Sequence, residues 1–152
     1  MAIPISRGWH IAAGCMILFI WGNSLVPGTG SSHLSLSVVS MLRSWLSGMG
    51  LPSVFLTNLL VRKTAHFSEY ALLSIMVHNA FAEDSKLPIR RFAVMCVIPV
   101  LVASVDETIQ HFVPGRCGTP ADVLIDCCGA AFGILVCLMA RRVSRRVKTR
   151  HR

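Results

Sequence analysis

Five of the seven acidic residues in this chain, Glu69, Asp106, Glu107, Asp122 and Asp126, lie inside or beside long apolar runs. Lys63, His66 and Arg116 are the cations available in the same segments. Carboxylates beside an imidazole suit general acid–base chemistry, and neighbouring cations suit holding a phosphate or carboxylate. The candidate catalytic residues are therefore His66, Glu69, Asp106, Glu107, Gln110 and Asp126, and the candidate ligand-binding residues are Lys63, Arg116, Asp122, Asn23 and Tyr70. Four carboxylates and a histidine would also suit a hard divalent ion. No ordered ligand spacing such as H-E-x-x-H is present, so no metal or cofactor is assigned. The plain alternative is an ion-pair network, Lys63 or Arg116 with Asp106 or Asp126, that only fixes helix packing.

Spacing places these groups on shared helical faces. Lys63, His66 and Tyr70 follow i, i+3, i+7, and Asp106 and Gln110 are four apart with Glu107 beside them. Asp122, Asp126, Gly129 and Gly133 line one side of a last helix, where Gly129-x-x-x-Gly133 forms a seam that lets another helix approach closely. An ionised side chain at mid-helix in a membrane costs about 2.5–3.5 kcal/mol on insertion scales, so such groups persist where they pair or line a wet cavity.

The elements that must carry them read as membrane helices. Only 14% of residues are charged and 53% are hydrophobic, with a mean hydropathy of +0.61; a soluble domain carries about 25% charged residues. Apolar runs span about Trp9 to Val26, Leu59 to Phe81, Phe92 to Phe112 and Asp122 to Ala140. The first is read as a spanning helix and not as a cleaved leader, because no small-x-small site follows it. Residues 27–33 form a turn-rich break. After it Leu34, Val38, Met41, Leu42, Trp45 and Met49 recur opposite Ser37, Ser40, Arg43, Ser44 and Ser47, which fits an amphipathic interfacial helix or a helix packed on the bundle. Pro99 predicts a kink in the third run, and loops are expected at 83–91 and 113–121. The expected fold is all-α, a polytopic bundle of about four transmembrane helices plus that amphipathic helix, with a transmembrane domain over 1–140 and a basic tail over 141–152.

Charge sets the expected orientation. Seven of the fifteen basic residues lie in the last twelve positions; such a cluster after an apolar helix fixes topology and touches anionic headgroups, and is no nucleic-acid signature. With both termini cytoplasmic, Arg7, Lys86, Arg90, Arg91 and the tail lie inside, against Arg43, Arg62, Lys63 and Arg116 outside. At about 1.5 Å per residue, Asp106 lies about 21 Å along its helix from the inner face, and His66 and Glu69 about 10 Å below the outer one. Asn23, Ser24 and Asp126 meet them in the outer third. Five of the six cysteines sit in apolar runs, and Cys117 has no loop partner for a disulfide.

The stretches Arg62-Lys63-Thr-Ala-His66-Phe-Ser-Glu69-Tyr70, Asp106-Glu107-Thr-Ile-Gln110-His-Phe-Val-Pro114-Gly115-Arg116-Cys-Gly118 and Asp122-Val-Leu-Ile-Asp126-Cys-Cys-Gly129 resemble the motifs of the VanZ-like membrane family. Asn23-Ser24-Leu-Val-Pro27-Gly28 is similar to that family's N-terminal motif, so the resemblance runs to about Ala140. Many members carry His directly before the motif Gln; here that position is Ile109, and His111 follows the Gln. The resemblance implies a bacterial cell-membrane setting, membrane lipids as neighbours, and an association with resistance to teicoplanin, a glycopeptide aimed at the lipid-linked cell-wall precursor. It assigns no reaction. Three functions stay open: an enzyme on a lipid-linked envelope substrate, a non-catalytic binder of lipid or glycopeptide, and a small transporter. Against transport, only Ser74 and His78 continue the polar path through the inner half.

Overall fold

In a computed structural model, which describes residues 5–81 and 88–150, the chain is all-helical. Its described elements are α1 (Ile5–Ser24), α2 (Gly28–Gly48), α3 (Asn58–Ala80), α4 (Pro88–Phe112) and α5 (Pro120–Arg150). Lys86 and most of the predicted loop 83–91 lie outside the described residues, as do Met1–Pro4, His151 and Arg152.

Helix boundaries follow from capping chemistry. Thr57 caps α3, its Oγ1 accepting from Leu60 N at 3.1 Å. Thr119 plays the same part for α5: its Oγ1 accepts from Asp122 N at 3.3 Å, with Pro120 at the first helical position. Pro88 also opens its helix. A proline at that position forfeits only an N–H that has no helical partner anyway, so both residues start helices that the sequence reading began a few residues later. α5 then continues without a break past Ala140 through the basic run.

The break predicted over 27–33 is shorter. α2 begins at Gly28, and α1 and α2 meet at a bend of 107°. Pro27 is extended (φ −53°, ψ 149°) and ends α1, while Gly28 N donates to Pro114 O at 3.0 Å and Ser31 N to Pro27 O at 3.0 Å. Gly28 serves close approach: a Cβ there would fall on the Gly115 carbonyl. Gly115 in turn has φ +74°, a backbone conformation open to glycine and strained for other residues.

α3 is the hub, and among the described residues it touches every other helix, most extensively α5. Gly129 and Gly133 of α5 lie directly on the carbonyls of Phe67 and Ala71, so the seam predicted from their spacing is the α3–α5 contact. The apolar core joins Ile20 of α1, Tyr70, Leu73 and Val77 of α3, Met95, Val102 and Ala103 of α4, and Ala130 of α5. Among the described residues, α2 packs on α3 and on no other helix. Its buried positions beyond Gly28 are Ser35 and Val39, whereas Leu34, Val38, Met41, Trp45 and Met49 are exposed. The apolar stripe of α2 is thus largely exposed, with Leu34 and Val38 also bordering a cleft against α3.

Phe92–Phe112 and Pro120–Ser144 are each long and apolar enough to cross a membrane, and Arg7–Ser24 with Gly28–Gly48 qualifies only as one bent pair. α3 does not qualify alone, because Arg62, Lys63, His66 and Glu69 crowd its first half. The surface nevertheless carries Leu18, Phe19, Leu124, Phe132 and Leu138 exposed, while Asp106, Gln110 and Asp126 are buried. Apolar outside and charged inside is the arrangement a lipid solvent favours.

Candidate functional site

Four chain segments meet at one end of the bundle: the end of α1, the first half of α3, the end of α4 and the start of α5. The 113–119 loop closes over them. Arg116, 7% exposed, anchors it, donating through Nε to Val26 O at 2.8 Å and through Nη2 to Asn23 O at 2.7 Å. Burial pulls its pKa below the ordinary guanidinium value and Arg62 adds to this, while Asp106, Glu107 and Glu69 oppose it. The loop is also tied to α4: Thr119 N donates to Glu107 Oε2 at 2.9 Å, and Gly118 lies against the Glu107 carbonyl.

Beneath the loop, His66 faces two carboxylates. Its Nδ1 is 3.8 Å from Asp106 Oδ2 and 3.7 Å from Asp126 Oδ1. Both distances exceed a hydrogen bond, so the groups surround a gap. Gln110 Nε2 faces Asp106 Oδ2 at 3.1 Å, Glu107 Oε1 at 3.3 Å and Ser24 Oγ at 3.3 Å. An amide has two N–H bonds, so it serves two of those three acceptors at a time.

The sequence candidates sort by geometry. His66, Asp106, Glu107 and Asp126 converge, and Gln110 links α4 to α1. Glu69 stands beside them and accepts from Asn23 Nδ2 at 3.5 Å. Lys63 and Asp122 form an ion pair to one side, part exposed. Asp122 and Asp126 are one turn apart, yet only Asp126 enters the cluster. Tyr70 is fully buried in the core, its hydroxyl without a hydrogen-bond partner among the described residues. Arg116 is chiefly a clasp between loop and α1. His111 is exposed, lies edge-on to Phe112 with ring centroids 5.5 Å apart, and is outside the cluster.

Two clefts reach His66 from different sides. One, of ≈ 230 Å³, lies between α2 and α3 and combines Leu34, Val38 and Val61 with Arg62, Glu69 and Arg116. The other, of ≈ 310 Å³, is lined by Arg62, Lys63, Gln110, Thr119 and Asp122. Arg62 borders both, and the sequence reading passed it over. Its signal was present: Arg62, His66 and Glu69 follow i, i+4, i+7. Ser24, expected at this depth, is joined to the site through Gln110; the backbone of Thr119 was missed, and nothing in linear spacing marks a backbone donor.

An all-α bundle with membrane-type helices and a buried acid–histidine cluster at one end defines the class of protein. Residues 9–141 match the VanZ/LLP1 family, and the chain belongs to it. No curated protein and no solved structure matches the chain.

Proposed function

We propose that this VanZ/LLP1 member is an enzyme of the bacterial cell membrane acting on a lipid-linked envelope substrate with an anionic head. In this reading α1, α3, α4 and α5 cross the bilayer, both termini are cytoplasmic, and the site lies under the outer headgroups. α2 lies in the interface with its exposed stripe in the acyl region. The basic tail supports that orientation.

The observation that carries the reading is the meeting of two unlike clefts at His66. One brings Arg62 and Lys63, which suit a phosphate or carboxylate; the other has the apolar wall an acyl chain requires. In this reading His66, which both clefts share, or Glu107 beside it acts as general base. Glycopeptide (teicoplanin) resistance is the phenotype through which such an activity would be read in cells.

Glu107→Gln keeps the shape of the side chain and should accumulate in the membrane as wild type does while losing the teicoplanin phenotype. Full resistance at equal membrane levels would overturn the catalytic reading. A non-catalytic binder is the second reading, favoured by the exposed apolar stripe of α2, which continues into the apolar wall of the α2–α3 cleft. It predicts that binding of a labelled polyprenyl phosphate survives Glu107→Gln and falls about tenfold, or about 1.4 kcal/mol, in Arg62→Gln with Lys63→Gln.

A further inference from the structure

His66 on α3, Asp106 and Glu107 on α4 and Asp126 on α5 each offer one ligand-type atom, and these atoms all lie within 4.8 Å of one another. Around an ion with bonds of about 2.1 Å, ligand atoms are about 3.4 Å apart at a tetrahedral angle and about 4.2 Å apart when opposite. The 3.8 and 3.7 Å separations from His66 Nδ1 to the two aspartates fall between these limits, while the full set spreads to within 4.8 Å and would close slightly around an ion.

A second observation concerns partners. Asp126 is 0% exposed, and neither of its carboxylate oxygens has a hydrogen-bond partner among the described residues. Asp106 Oδ1 and His66 Nδ1 share that state. Buried, unpartnered carboxylate oxygens are among the most unfavourable arrangements a fold can hold. They are what a cation between them would satisfy. We infer that His66, Asp106, Glu107 and Asp126 bind a divalent transition-metal ion of the Zn2+ or Mn2+ class.

The donor set narrows the ion. Mg2+ and Ca2+ favour oxygen ligands throughout, whereas an imidazole among carboxylates suits a first-row transition ion. Gln110 and the Thr119 N–H, which hold Asp106 and Glu107, are the outer contacts that orient ligating carboxylates. Three carboxylates exceed the charge of a divalent ion by one, and Arg62, Arg116 and Lys63, which line the clefts that reach His66, are there to balance it.

This inference rests on this end of the bundle being a built site, as proposed above, but not on the substrate. Metal content is measured without substrate, so its failure would leave headgroup binding at Arg62 and Lys63 standing. Tag-free full-length protein in nanodiscs, stripped with chelator and dialysed against Zn2+ or Mn2+, should retain about one ion per chain. Asp126→Asn and Glu107→Gln should each lower retention about tenfold or more, while His111→Ala, at an exposed imidazole outside the cluster, should retain it. A measurement independent of variant folding is pulsed EPR of Mn2+-loaded wild type with 15N-labelled histidine, which should show a nitrogen hyperfine coupling. Wild type that retains no ion, an Asp126→Asn variant that retains a full equivalent, or a Mn2+ signal without nitrogen coupling would overturn the inference.

Discussion

Arg116 donates to the carbonyls of Val26 and Asn23 from two nitrogens of one planar group. A lysine ammonium carries its donors on one nitrogen and lacks the planar, two-nitrogen spread that reaches both acceptors here. Arg116→Lys should therefore release the loop from the end of α1 and lower stability by about 1.5–3 kcal/mol, the range for a hydrogen bond to a charged group. Thermal unfolding in detergent measures this, and a variant that melts with wild type would show that the clasp contributes nothing. At this scale the sequence was informative about which residue types gather and less so about what each does. Intramembrane carboxylates announce themselves because burying them is expensive. The distinction between Asp122, paired with Lys63, and Asp126, turned inward, depends on the rotation of α5, which spacing alone leaves free. Arg116 as a clasp depends on backbone carbonyls that carry no residue label at all.

Between elements, the decisive contact is the seam where α5 lies on α3. A Cβ at Gly133 would strike the Ala71 carbonyl, whereas at Gly22 nothing lies within 4 Å. Gly133→Val should destabilise by about 1–3 kcal/mol or prevent folding, while Gly22→Ala should be neutral or stabilising by up to about 1 kcal/mol. Comparing the two melting temperatures tests the packing, and equal effects would refute it. The seam was legible because small residues four apart have one physical use between helices. The start of α2 was not: Pro27-Gly28-Thr29-Gly30 reads locally as a turn, and only the loop carbonyl of Pro114 and the proximity of Gly115 make it a helix N-terminus. Pro88 and Pro120 misled in the same way, since a proline both ends loops and begins helices.

For the molecule as a whole, the proposed orientation places the 113–119 loop outside. Cys117 is exposed in that loop. A membrane-impermeant maleimide should label Cys117 in intact cells, and Cys117→Ser should abolish that signal; labelling only after permeabilisation would reverse the orientation. The all-helical class was plain from composition. The number of crossings was harder to read, because α3 mixes the residues of the site with those of a span, so neither its hydropathy nor its charge decides alone.

That mixture has a consequence for biogenesis. α3 is the segment every other helix leans on, yet it is the one that lipid accepts least readily on its own, with Arg62, Lys63, His66 and Glu69 in its first half. In the proposed topology, at up to about 2.5–3.5 kcal/mol for each charged group, its place in the bilayer depends on segments synthesised after it. A nascent chain truncated before α4 should leave α3 outside the bilayer in glycosylation mapping, and the full chain should draw it in. Stable insertion of the truncated chain would show that the late helices are dispensable to it.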